Sequence, residues 1–172
     1  MTALIRRHCC WLGLMLQIVA GASIAAPALG FELRPFDAKS IERIRGKHAG
    51  KPFILAFWSI TCEPCRDEMG EWKAIRAKYP KLPIVLVATD SPAEGKMVLS
   101  FLSRYNPGPV ETWIFADSFS ERVRYSVDPK WRGELPRHYF YDASHRVEGH
   151  SGRLDKARLA DWLKTAGVAA QP

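Results

Sequence analysis

The chain has 172 residues, with 25 Lys and Arg against 18 Asp and Glu, and a formal net charge of +7. This length suits one ordinary domain, and the mix of 47% hydrophobic and 25% charged residues excludes disordered, collagen-like and disulfide-dense proteins. Basic and acidic residues are interleaved from Glu32 to Lys164 without a long run of like charges, so no nucleic-acid partner is indicated.

The first predicted element is an export signal. A pair of arginines precedes an apolar stretch at 11–26, and no acidic residue occurs before Glu32. This pattern is typical of a secretory signal peptide at residues 1–28, with cleavage after Ala28 or, as a second choice, after Gly30. The apolar stretch is shorter than the about 20 residues of a membrane span, and an uncleaved N-terminal anchor is the alternative. Export predicts a location in the periplasm.

Signal cleavage leaves two of the four cysteines. Cys9 and Cys10 would be removed, and Cys62 and Cys65 would enter a compartment that permits disulfides. Two cysteines three positions apart form either a structural bridge or a working redox pair there.

Predicted strands and helices alternate along the rest of the chain. A short strand and a helix fall within 31–46, and the continuous apolar run at 52–58 predicts a strand buried on both faces. In chain order there follow a helix at 61–79, a strand at 82–89, a helix at 93–105, a strand at 112–116, a helix at 118–126, strands at 137–141 and 146–150 around a hairpin turn, and a helix at 155–166. This order predicts a single α/β domain over residues 31–172, with a mostly parallel sheet and an antiparallel edge.

The predicted chemistry is concentrated in Cys62-Glu63-Pro64-Cys65, which follows a buried strand and opens a helix. A helix N-terminus stabilises a thiolate, so Cys62 is the candidate nucleophile. Pro64 suits the first helical turn, where its missing N–H costs nothing. Cys65 is the candidate resolving thiol, because it can attack a mixed disulfide formed by Cys62 and release the partner.

The cysteine pair has two alternatives to a redox role, a structural bridge and a metal site. A static Cys62–Cys65 bridge closes a very small loop and would stabilise the fold little. A zinc site would need a second cysteine pair, and a copper site would have to recruit His or Met without any His-rich tract. The redox interpretation is favoured, with no metal and no cofactor expected.

A second candidate feature is Leu135-Pro136, directly before the predicted strand at 137–141. A cis peptide bond here would turn the chain and present the Leu135 backbone to a partner peptide. An ordinary trans proline at the strand boundary is the alternative.

The chain resembles the TlpA-like thioredoxin-fold disulfide reductases of bacterial cell envelopes, which include the ResA and CcmG types. The resemblance is carried by Phe57-Trp58, by the run Cys62–Met69 and by the Leu135-Pro136 step. The resemblance covers about residues 51–166. It implies a thioredoxin fold, with a central mixed sheet flanked by helices and a cis Pro136 facing the cysteine pair.

The resemblance also implies thiol–disulfide exchange with protein substrates such as apocytochromes or metal-site proteins. A membrane thiol-transfer partner would then re-reduce the cysteine pair. The implied catalytic residues are Cys62, Cys65, Glu68 and Pro136, where Glu68 matches a glutamate three residues after the second cysteine. A solvated helix carboxylate is the alternative for Glu68.

The chain departs from the family pattern beside the cysteines. Thr61 stands where the family commonly has Trp, Gly70 replaces a frequent proline, and Ala56 occupies the position of a buried aspartate in thioredoxin.

The predicted substrate groove is formed by Trp58, Thr61, Glu63, Pro64 and Leu135. The histidines at 138, 145 and 150 are expected to be surface or strand residues rather than ligands.

The charges around Cys62 favour a cysteine pair that acts as a reductant. Glu63, Asp67, Glu68 and Glu71 crowd the helix start and oppose a second negative charge on Cys62. Arginines from elsewhere, such as those at 132 and 137, would weaken this effect.

The sequence therefore predicts an exported thiol–disulfide oxidoreductase that reduces envelope proteins. The alternatives are an oxidase or isomerase on the same fold, or a non-enzymatic Cu(I)-binding protein.

Overall fold

The computed structural model describes residues 30–171. The predicted signal peptide at 1–28, its cleavage after Ala28 and its anchor alternative lie outside the described residues, as do Cys9 and Cys10. Within the described part of the chain, no helix is long and apolar enough to cross a membrane.

Strands and helices alternate as expected. The strands are β1 (Arg34–Phe36), β2 (Phe53–Trp58), β3 (Ile84–Ala88), β4 (Glu111–Phe115), β5 (Arg137–Tyr141) and β6 (Val147–Ser151). The helices are α1 (Ser40–Lys47), α2 (Glu63–Asp67), α3 (Met69–Lys78), α4 (Gly95–Tyr105), α5 (Ser120–Val127) and α6 (Lys156–Thr165), with a 3-10 turn at Pro92–Glu94 before α4.

The strands form one six-stranded sheet in the order β1-β4-β3-β2-β5-β6. β1, β4, β3 and β2 run parallel to one another, whereas β5 pairs antiparallel with β2 and β6 pairs antiparallel with β5. The predicted mixed sheet with an antiparallel edge is therefore confirmed.

The central strand β2 divides the core into two layers. Successive side chains of a strand point to opposite faces. Ile54, Ala56 and Trp58 accordingly belong to one buried cluster and the intervening phenylalanines and leucine to the other. The first cluster also holds buried residues of α3, α4 and α6, and the second holds those of α1 and α5. Helices thus cover both faces of the sheet, and the loop after β2 emerges between them.

The predicted helix at 61–79 is two helices, α2 and α3, which meet at Glu68. Glu68 keeps right-handed helical dihedrals (φ −72°, ψ −15°), and Trp72 N–H donates to the Glu68 carbonyl at 3.0 Å. The buried residues Cys65 of α2 and Met69 and Trp72 of α3 keep helical spacing across the junction, so spacing could not reveal this local break in hydrogen bonding.

Candidate active site

The loop that delivers Cys62 is anchored by Asp90, the second residue after β3. The Asp90 carboxylate accepts hydrogen bonds from Ser59 Oγ at 2.8 Å and from Ile60 N–H at 3.3 Å. Burial raises the pKa of the Asp90 carboxyl, although the hydrogen bonds from Ser59 and Ile60 act in the opposite direction. Because β2 and β3 are parallel neighbours, their carboxyl ends meet at one edge of the sheet. Sequence reasoning missed Asp90, whose only signal was an acid directly after a buried strand.

Cys62 and Cys65 form a disulfide, with their Cα atoms 5.3 Å apart. Cys62 is the N-cap of α2, and its Sγ accepts a hydrogen bond from Cys65 N–H at 3.3 Å. Cys65 is 1% exposed, whereas Cys62 is only half-buried. Cys62 is therefore the more accessible sulfur of the pair, as a nucleophile must be. Pro64 lies in the first turn of α2.

Glu68 is buried, with 4% of its surface exposed. Its Oε2 lies 3.0 Å from His138 Nε2, and its Oε1 accepts the Leu154 N–H at 2.7 Å. The alternative of a solvated helix carboxylate is therefore wrong. Glu68 follows Cys65 by three residues, which places both on one face of the helical segment.

His138 is fully buried on β5 and pairs across the sheet with Ala56. It thus shares a sheet face with the position that holds an aspartate in thioredoxin. Its ring packs 5.6 Å from the Trp72 ring, and its Nδ1 has no hydrogen-bond partner within residues 30–171. His138 is a strand residue, as one expectation had it, but its contact with Glu68 was not foreseen. The only sequence signal for this contact was the position of His138 within the predicted strand, two residues before Phe140.

The Leu135–Pro136 peptide bond is cis, as the resemblance implied. Pro136 is buried, and Leu135 is half-buried between the two core clusters.

The start of β5 is fixed by Asp128, which accepts hydrogen bonds from Arg137 at 2.8 Å and from the Tyr139 hydroxyl at 3.2 Å. Burial would raise the pKa of Asp128, but these bonds and the Lys130 N–H outweigh it and lower that pKa.

The predicted groove residues differ in exposure. Thr61 and Glu63 are exposed, and Pro64 and Leu135 are half-buried. Trp58 is only 3% exposed. Its place in the predicted groove would therefore be beneath the surface rather than on it.

A surface pocket of about 300 Å³ lies beside the cysteine loop. It is lined by Ile60 and Arg66 on one side and by Phe101, Arg104 and Tyr105 of α4 on the other. Phe101 connects the pocket to the core, because its ring also packs against the buried Trp58 ring at 5.2 Å. Neither arginine forms an ion pair with another described residue.

The acidic helix start is partly neutralised by the C-terminal segment. Asp67 pairs with Arg153 at 2.6 Å, and Glu71 pairs with Lys156 at 3.1 Å. The expected accumulation of negative charge around Cys62 is therefore smaller than sequence proximity suggested. Arg132 and Arg137 do not cause this reduction of the negative charge. Arg137 pairs with Asp128, and the Arg132 side chain donates to a backbone carbonyl.

The other two hairpin histidines bond to the backbone. Nε2 of His145 lies 3.1 Å from the His48 carbonyl oxygen, and Nε2 of His150 lies 3.1 Å from the Arg153 carbonyl oxygen. Among residues 30–171, no three His, Cys, Asp or Glu side chains are grouped so that they could hold a metal ion.

The chain is similar to curated and to structurally characterised thiol–disulfide proteins. No family model matches it. It is 27% identical over 143 residues to the thiol–disulfide oxidoreductases ResA of Bacillus thuringiensis and of Bacillus cereus, which covers 82% of this chain and 77% of each relative.

The fold is shared with solved structures of other thiol–disulfide proteins, among them one from Mycobacterium tuberculosis and one from Chlorobium tepidum. A secreted disulfide oxidoreductase of Mycobacterium tuberculosis, homologous to E. coli DsbE, matches with a TM-score of 0.56 and 24% identity over 70% of this chain and 85% of its own. A thiol:disulfide interchange protein of the thioredoxin family from Chlorobium tepidum matches with a TM-score of 0.57 and 19% identity over 71% and 83%. The predicted thioredoxin fold is confirmed.

Proposed function

We propose that this chain, which is a thiol–disulfide oxidoreductase of the ResA type, reduces disulfides of cell-envelope proteins in the periplasm. The observation that carries the proposal is the half-buried Cys62 joined to a buried Cys65 at the start of a helix. The 27% identity to ResA oxidoreductases over most of the chain supports the reaction class.

The reaction begins from the dithiol form. The Cys62 thiolate attacks one sulfur of a substrate disulfide, and the first substrate thiolate leaves and is protonated. Cys65 then loses its proton, and its sulfur attacks Cys62 Sγ. The bond between Cys62 and the substrate breaks, and the second substrate thiolate leaves. Two electrons pass to the substrate, and the protein is left with the Cys62–Cys65 disulfide.

Glu68 is the proposed acceptor of the Cys65 proton. Three features support this role: burial, placement one turn after Cys65, and the absence of an ion pair with Lys or Arg among the described residues. A carboxylate in such a position accelerates proton transfer by about 10²–10⁴-fold in enzymes generally. When the disulfide is reduced again, the same carboxyl returns a proton to Cys65.

The direction of electron flow is proposed to be reductive. A strong oxidant of the DsbA kind owes its potential to a stabilised reduced form, and here the residues between the cysteines are Glu63 and Pro64 rather than a cation. The cell therefore has to supply electrons, and the proposed source is a membrane thiol-transfer reductant. Apocytochromes or metal-site proteins are the proposed substrates.

The substrate segment would cross the surface formed by Thr61, Glu63, Pro64 and Leu135, next to Pro136. Thr61 and Glu63 are exposed there, and Leu135 packs against the core cluster that Cys62 also contacts. The buried Trp58 would support this surface from below.

The proposal is tested by trapping. In the full chain, Cys65→Ser should accumulate mixed disulfides with envelope proteins through Cys62, because the resolving thiol is missing. Cys62→Ser is the matched control and should trap none. If Cys65→Ser captures no partner and the wild-type chain does not reduce insulin disulfides, the proposal fails. Stoichiometric Cu(I) binding in that case would favour the copper-binding alternative.

A further inference from the structure

The Glu68 carboxylate is held from two sides by the C-terminal half of the chain. One oxygen faces His138 Nε2 at 3.0 Å, and the other accepts the Leu154 N–H at 2.7 Å. The His138 ring is 0% exposed and Glu68 is 4% exposed, so water does not compete for these bonds. The two holding groups come from β5 and from the segment after β6.

Packing alone does not account for a histidine at position 138. Its Nδ1 is buried and has no hydrogen-bond partner among the described residues. A buried polar atom left without a partner destabilises the fold, a cost that an apolar side chain in the same place would avoid. The contact that only a polar ring can make here is the one between Nε2 and Glu68.

The hydrogen bond defines which ring nitrogen carries the proton. An ionised carboxylate can only accept, so Nε2–H donates to Glu68 Oε2. Nδ1 then carries a lone pair, and an unpaired acceptor is better tolerated in protein interiors than an unpaired N–H. The pair is therefore built to hold Glu68 in one orientation while the carboxylate is ionised.

We propose that His138 is a positioning residue that holds the Glu68 carboxylate in place to receive the Cys65 proton in the resolving step. In this role His138 acts through its hydrogen bond to Glu68. In this step the Cys65 thiol gives its proton to Glu68, and its sulfur bonds to Cys62 Sγ. The electron pair of the broken bond leaves with the substrate thiolate. The inference rests on the proposed disulfide-reductase function.

Three substitutions separate positioning from packing. In His138→Gln the amide nitrogen lies as many bonds from the backbone as the histidine Nε2, so the hydrogen bond to Glu68 is kept. In His138→Asn the amide is one bond shorter and cannot reach Glu68. His138→Leu removes the donor and keeps the site apolar. His145→Asn is the matched control on the hairpin turn, where the left-handed backbone (φ 59°) accepts Asn.

The two exchange steps are measured separately in the full chain. The resolving rate should fall by about tenfold or more in His138→Leu and His138→Asn, the equivalent of losing one hydrogen bond to a charged group. His138→Gln should recover most of that rate, and His145→Asn should resemble the wild type. The rate of Cys62 attack, followed in a Cys65→Ser background, should be the same in all of them. Thermal unfolding of each variant shows whether it is folded.

Equal resolving rates in folded His138→Leu and the wild type would overturn the inference and leave the proposed function intact. An equal slowing of attack and resolution, or no recovery in His138→Gln, would also overturn it, because both indicate a general packing defect. If Cys65→Ser with His138 intact forms no mixed disulfide and the wild-type chain does not reduce insulin disulfides, the proposed function fails, and the inference fails with it.

Discussion

At the scale of single residues, the site depends on which side chains are buried together. Glu68 could be identified as a candidate from its spacing to Cys65. Its burial and its contact with His138 could not be predicted, because 70 residues separate the two partners along the chain. Asp90 was missed for the same reason, since it contacts the cysteine loop from the loop after the neighbouring strand β3. Local spacing predicts neighbours on one helix but not partners across a sheet.

Glu68→Gln tests the proposed proton transfer. Gln has nearly the same shape and can still accept the Leu154 N–H, but it cannot take up a proton as a carboxylate does. The resolving rate at neutral pH should therefore fall by about 10²-fold. Single-turnover reduction of a model disulfide measures this rate.

Asp67→Asn is the matched control for Glu68→Gln. Asp67 is the preceding residue and an exposed acid, paired with Arg153 on the surface. Its replacement should change the resolving rate by less than about threefold, since exposed ion pairs contribute little. An unchanged rate in Glu68→Gln, or an equal loss in Asp67→Asn, would contradict a specific role of Glu68.

At the scale of elements, apolar runs and turn residues predicted the strands closely. The strand expected at 137–141 is β5 itself, and the turn expected at 142–145 joins it to β6. The turn is held by the Asp142 carboxylate, which accepts hydrogen bonds from Ser144 Oγ at 2.7 Å and from Arg146 Nε at 2.7 Å. The break between α2 and α3 was not predicted, because the apolar spacing continues through Glu68.

The Asp142 turn predicts a stability change in acid. Hydrogen bonds from the Ser144 and Arg146 side chains lower the pKa of Asp142 from 3.8 to about 2. A carboxyl with a lowered pKa in the folded state stabilises the protein above its unfolded pKa, and this contribution is lost as the pH falls through the folded value. Relative to Asp142→Asn, the wild-type chain should therefore lose stability between about pH 4 and pH 2, as followed by urea unfolding.

Asp161→Asn is the control for Asp142→Asn. Asp161 of α6 is exposed, and its carboxylate has no hydrogen-bond partner in the described part of the chain. The stability difference between the wild type and Asp161→Asn should be nearly independent of pH over the same range. A difference between wild type and Asp142→Asn that does not shrink in acid would contradict the role of the turn carboxylate.

At the scale of the whole molecule, the C-terminal segment completes a site that begins near residue 60. β5 supplies His138, the segment after β6 supplies Arg153 and Leu154, and α6 supplies Lys156. The alternation of elements was enough to predict the fold class, since strand–helix order restricts the possible architectures. The charge around Cys62 could not be predicted in the same way, because its compensating cations are distant in sequence.

The reduction potential of the Cys62–Cys65 pair tests the central claim most directly. The full chain is equilibrated with thiol/disulfide buffers of known ratio, and the fraction of disulfide is measured. A reductant that depends on a dedicated electron source should have a potential near or below that of thioredoxin, about −270 mV. A value near that of DsbA, about −120 mV, would contradict the account and identify the protein as an oxidant.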